Sequence, residues 1–220
     1  MPDIEGVGLT SRRVRLKMVE RLREQGINDE RVLGVMAQIP RHIFVQEAFA
    51  SRAYDDTALP LGLGQTISHP FTVARMVSVL LEGRDSLGKV LEIGTGCGYQ
   101  AAVLAQLSDV VYSVERISEL LELARQHLFL LKESRVRLKH ADGKLGMSQA
   151  APFDSIVVSA SARELPQAFL KQLAPNGRLV IPMVLDDETQ YLSRVDLTPH
   201  GFKETPLEAV RFVPMLYGIQ

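Results

Sequence analysis

A single cysteine, Cys97, rules out any intrachain disulfide and fits a reducing cytoplasm. Net charge is equally scarce. The 25 Lys and Arg against 26 Asp and Glu leave −1, which gives no electrostatic ground for a nucleic-acid partner. No apolar run approaches the length of a membrane span, and the charges at Asp3, Glu5, Arg12 and Arg13 leave no room for a signal-peptide core, so no membrane partner is expected. Repeats and low-complexity tracts are absent. The five histidines (His42, His69, His127, His140 and His200) keep no metal-ligand spacing, so no metal is expected. Neither a Gly-x-Ser-x-Gly elbow nor a phosphate loop ending in Gly-Lys-Ser/Thr occurs. What remains is an ordinary soluble composition over 220 residues, 46% hydrophobic and 23% charged, enough for one domain with a substantial core.

The most informative stretch runs from Val90 to Tyr99. A buried strand over 90–93 leads into a turn with Gly94, Gly96 and Gly98, and a helix begins near Tyr99. Strand, glycine turn and helix in that order open a nucleotide-binding α/β sheet. Tyr99 stands where a dinucleotide motif has its third glycine, and Glu92, two residues before the turn, would repel a pyrophosphate. A ligand with positive charge and no phosphate, S-adenosylmethionine, suits that pattern better than NAD. Glu115 lies 21 positions after Gly94, at the end of a second strand over 110–114, where a carboxylate takes ribose hydroxyls. Asp142 and Gly143 end a third strand over 136–140 and are placed for adenine. Cys97, small and at a helix start, reads as a residue fitted beside the cofactor rather than as a nucleophile.

The rest of the chain frames this core. Helices are expected over 10–26, its arginine-rich face solvated, and over 29–38. An irregular but ordered stretch follows over 40–72, of the kind that carries function. Pro70 suits the first turn of a helix over 71–81 with His69 or Ser68 as its cap, and Ser68 reads equally as a plain cap or as a functional residue. A helix over 117–132 precedes the third strand. After it come a fourth strand over 153–158, a helix over 164–173, a turn at Pro175-Asn176-Gly177 and a fifth strand over 178–184. Strands alternating with helices predict a doubly wound, mostly parallel sheet covered on both faces. Two strand-like segments over 190–197 and 207–216 would add an antiparallel C-terminal pair, bounded by Pro206 and Pro214. The expected division is one domain, with a helical extension and substrate loop over 1–85, a cofactor core over 86–185 and the strand pair over 186–220. The fourth strand ends in Ser159-Ala160-Ser161-Ala162, not the Asn/Asp-Pro-Pro-Tyr that activates base amines, and no Pro-Cys pair exists for cytosine attack. The acceptor therefore needs little activation.

Several segments together resemble the bacterial protein-L-isoaspartate (D-aspartate) O-methyltransferases. They are 40–45 (Pro-Arg-His-Ile-Phe-Val), 53–55 (Ala-Tyr-Asp), 64–68 (Gly-Gln-Thr-Ile-Ser), the glycine turn with its helix, 114–116 (Val-Glu-Arg), Asp142-Gly143 and 210–214 (Val-Arg-Phe-Val-Pro). The resemblance implies methyl transfer from S-adenosylmethionine to the α-carboxylate of L-isoaspartyl residues in damaged proteins and peptides, in the cytoplasm, with D-aspartyl residues as a second acceptor. A monomer is expected. The resemblance implies Ser68 as the catalytic residue beside the acceptor. Cofactor contacts would come from Gln65, Thr66, Ser68, Glu92, Gly94, Gly96, Cys97, Glu115, Asp142 and Gly143, and substrate contacts from Thr66, Ser68, Phe212 and Val213. Cys97 stands where the family usually has serine, and His69 where it usually has glutamine. A methyltransferase for small carboxylates, a cofactor-binding protein without catalysis and an NAD oxidoreductase are the competing readings.

Overall fold

A computed structural model describes residues 4–220. Its centre is a seven-stranded sheet built from β3 (Lys89–Ile93), β4 (Val110–Glu115), β5 (Val136–His140), β6 (Phe153–Val158), β7 (Leu173–Val184), β8 (Gln190–Thr198) and β9 (Gly201–Ala209). The order is β5-β4-β3-β6-β7-β8-β9, parallel from β5 through β7 and antiparallel in the last two strands. The chain leaves β3 for β4 on one side and returns to β6 on the other. A crevice therefore opens at the carboxyl ends of β3, β4 and β6, the switch point where such sheets bind ligands.

Alternation along the strands divides the core in two. Val90, Val111, Val157, Val180 and Leu192 pack on one face against α1 (Arg12–Glu24), α2 (Glu30–Gln38), α3 (Pro70–Leu81), α4 (Tyr99–Ala105) and α5 (Ser118–Leu130). Leu91, Ile93, Val114, Ile156, Val158, Leu179 and Ile181 face the other way, where Phe169 and Leu170 of α6 (Gln167–Leu170) cover them. Both faces are covered, the second by much less helix.

Five expectations need correction. The helix over 164–173 shrinks to α6, because Pro166 biases the residue before it away from helical backbone and Ala162 bridges to Met183 of β7. Strand β7 starts at Leu173 and absorbs Pro175-Asn176-Gly177 as an irregularity in its pairing with β6. The last strand is β9, with Pro206 inside it, which an edge strand tolerates, while 210–215 runs on outside it, joined to β8 by the Val210 amide on the Gln190 carbonyl and to Ser161 by an isolated bridge at Pro214. Inside the irregular stretch lies a small hairpin, β1 (Leu59–Gly62) and β2 (Gln65–Ile67). The arginine-rich face of α1 is not simply solvated. Arg15 is buried, with Nε donating to Tyr54 Oη and Nη1 to the Gln38 carbonyl, and Arg21 donates to the Tyr54 carbonyl.

Candidate active site

The glycine turn joins β3 to α4 at the crevice. Gly94 has φ +91°, and a Cβ there would come within 3.4 Å of Ser159 Cβ, so the turn passes close to the end of β6. Gly98 caps α4 at φ +86°, pressed against Ala124, where a Cβ would sit 3.2 Å from the alanine's own. The turn is fastened from the next strand. Glu115, almost fully buried, accepts the Gly96 amide at 2.9 Å through Oε2, and the Arg116 and Ile117 amides through Oε1.

A cleft of about 490 Å³ opens beside this turn. Gly94, Gly96, Cys97 and Glu115 form one wall, and Gln65, Thr66, Ser68 and His69 the wall opposite; Phe212 and Val213 close a third side. The Ser68 hydroxyl has no hydrogen-bond partner among the described residues, and it caps nothing: His69 is the N-cap of α3 and Pro70 its first residue. A smaller recess of about 70 Å³ continues past Glu115 toward Gly143, Pro214 and Met215.

Ten of the twelve residues expected at the site thus line one of these two spaces. Glu92 and Asp142 do not. Glu92 pairs in register with Ser113 of β4, on the face covered by helices, and has no exposed surface. Ser113 Oγ donates to its Oε2, while Oε1 is buried without a partner. Burial pushes its pKa up to about 8, so at neutral pH it is a protonated acid behind the turn, not a carboxylate facing a cation. Asp142 lines neither space, and its oxygens accept the Lys144 and Gly218 amides. Burial also raises Cys97 to about 11, which removes any thiolate chemistry near neutral pH.

Residues that the sequence does not single out as contacts complete the walls. Gln100 Nε2 donates to Ser159 Oγ at 3.0 Å, both lining the cleft. The segment carrying Phe212 and Val213 is held from two sides. Gln190 accepts the Phe212 amide at 2.7 Å and donates to its carbonyl at 3.1 Å, while the Ser161 amide donates to the Val213 carbonyl at 2.8 Å. Ser161 stands out in sequence only as part of the segment ending β6; Gln190 gives no signal.

The model of the protein-L-isoaspartate (D-aspartate) O-methyltransferase family matches residues 13–219. The chain belongs to this family. It is 60% identical to a protein-L-isoaspartate O-methyltransferase of Dechloromonas aromatica, over 99% of this chain and all of that one. A relative of the same name from Methylobacillus flagellatus is 54% identical, over 98% of this chain and 97% of its own. A Plasmodium falciparum protein described as an enzyme of this kind, solved in complex with S-adenosyl-L-homocysteine, superposes with a TM-score of 0.81 at 27% identity, covering 92% of this chain and 98% of that one. Membership and this superposition agree with the sheet and crevice described above, and the NAD oxidoreductase reading falls away.

Proposed function

We propose that this protein is an S-adenosylmethionine-dependent methyltransferase that esterifies the free α-carboxylate of L-isoaspartyl residues in damaged proteins and peptides. The methyl ester then cyclises to a succinimide without the enzyme. One observation carries the reading beyond family membership: a single cleft joins the glycine turn to the unpartnered hydroxyl of Ser68.

The residues present fit the cofactor. Gly94 allows a close approach of the backbone, and Gly143, which lines the smaller recess, packs so tightly on β3 that a Cβ there would collide with Ile93 Cγ2 at 2.7 Å. Glu115 would take the ribose hydroxyls, Gly94 and Gly96 the tail, and Gly143 would lie against adenine. When bound, S-adenosylmethionine supplies a methyl group on a sulfonium. The protein's own part is placement. A carboxylate acceptor is ionised at neutral pH and needs no general base. Ser68 donates a hydrogen bond that orients it, Thr66 flanks it, and Phe212 and Val213 shield it from water. Bringing reactants into line is enough to account for much of a rate enhancement.

No helix among the described residues is long and apolar enough to cross a membrane. A cytoplasmic monomer acting on isoaspartyl proteins, without nucleic acid, completes the proposal. The test is transfer of radiolabelled methyl from S-adenosylmethionine to an isoaspartyl peptide, with its aspartyl twin as control. Label on the isoaspartyl peptide alone is expected; label on neither, or equally on both, would refute the assignment.

A further inference from the structure

Arg41 has no exposed surface at all, yet its hydrogen bonds go to two backbone carbonyls and to no carboxylate. Nε donates to the Ala53 carbonyl at 2.8 Å and Nη2 to the Ser68 carbonyl at 2.7 Å. The guanidinium lies over the Tyr99 ring, 4.8 Å from its centroid, and Nη1 is buried without a partner. Holding a cation out of water with no counter-ion is costly, and an apolar side chain would fill the space with a smaller penalty. The placement of the contacts accounts for the arginine. Ala53 precedes the β1–β2 hairpin and Ser68 follows it, so one planar fork ties both ends of the segment that carries Gln65 and Thr66. Tyr99 begins α4 directly after the glycine turn and lines the cleft, so the same guanidinium is packed against the opposite wall. Arg41 itself lines neither space.

We propose that Arg41 is a positioning residue for methyl transfer, fixing the spacing between the Ser68 side of the cleft and the glycine-turn side. It rests on the methyltransferase function proposed above. Lysine keeps the cation but cannot bridge two carbonyls as a fork. In R41K, kcat for an isoaspartyl peptide at saturating cofactor is therefore expected to fall at least fivefold, while the dissociation constant for S-adenosyl-L-homocysteine stays within threefold of wild type. Amide exchange over 59–68 should quicken, with α5 unchanged. R41Q, tested in parallel, should behave alike or worse. A smaller fall in kcat, or a loss of cofactor affinity in step with it, overturns the role. So does failure of both variants to fold by circular dichroism, which would assign Arg41 to the fold alone. Wild-type protein that transfers no methyl overturns the function and this role together, whereas active wild type with undiminished R41K overturns the role only.

Discussion

Glu115 Oε2 accepts the Gly96 amide at 2.9 Å, so the loop after β3 is pinned by the last residue of β4. Two further amides hold the other carboxylate oxygen. Three donors fix the group's position and leave it acceptor capacity toward the cleft. An amide in its place has one oxygen only and must turn an NH2 toward backbone donors. Hydrogen bonds to charged groups are worth about 1.5–3 kcal/mol. Glu115→Gln should therefore weaken S-adenosyl-L-homocysteine binding by roughly ten- to hundredfold, with kcat at saturating cofactor nearly unchanged. Calorimetric titration checks it; affinity within threefold of wild type would remove Glu115 from the cofactor site.

Ser68 makes the opposite separation. Its hydroxyl is unpartnered among the described residues, so removing it breaks no bond within the protein and leaves the Arg41 contact to its carbonyl intact. Loss of one orienting hydrogen bond corresponds to about tenfold in rate per 1.4 kcal/mol. Ser68→Ala is expected to lower kcat by on the order of tenfold without changing cofactor affinity or melting temperature. Unchanged turnover in a methyl-transfer assay would discard the role.

Glu92 links the site to pH. Its pKa is raised from 4.5 to about 8 in the folded state, so the native protein holds a proton there that the unfolded chain releases. Between these values stability falls as pH rises, by up to about 1.4 kcal/mol for each step of one in pH, and above about 8 the loss is complete. Glutamine is close in shape and cannot ionise. The melting temperature of Glu92→Gln relative to wild type should therefore climb steadily from about pH 5 to about pH 8.5. A difference that stays flat across that range would mean that Glu92 titrates normally.

That residue also marks where reading the chain succeeds and stops. Strands over 136–140 and 153–158 match β5 and β6 at both ends, because uninterrupted strands carry their own signal. The glycine turn and the spacing to Glu115 are equally plain. Glu92 sits in the same motif, but its protonation depends on register with Ser113 and on helices packed over it, neither of which spacing reveals. The β1–β2 hairpin escapes for another reason. Its strands are four and three residues long, too short for periodicity, although Gly62 and Gly64 bracketing Leu63 hint at the turn. The strand expected over 207–216 is right only to Ala209, the end of β9, because hydrophobic character alone does not distinguish a strand from an extended segment held by a few backbone bonds and one side chain.

Gln190 supplies that side chain. Its amide acts as a substitute backbone, accepting from and donating to Phe212, 22 residues away. Glutamate can accept the Phe212 amide but not donate to its carbonyl, so Gln190→Glu keeps one bond and sets a negative charge against an oxygen. Alanine loses both. Because Phe212 and Val213 line the cleft, on the side proposed above for the acceptor, while Glu115 and the glycine turn are untouched, the cost should fall on the peptide. The KM for an isoaspartyl peptide is expected to rise roughly three- to tenfold for each net hydrogen bond lost, at about 0.5–1.5 kcal/mol apiece, with affinity for S-adenosyl-L-homocysteine preserved in both variants. Steady-state kinetics with the peptide varied, beside calorimetry with the cofactor product, separates the two effects. An unaltered KM in Gln190→Ala would mean that the backbone bonds of Val210, Val213 and Met215 hold this wall in place without the side chain.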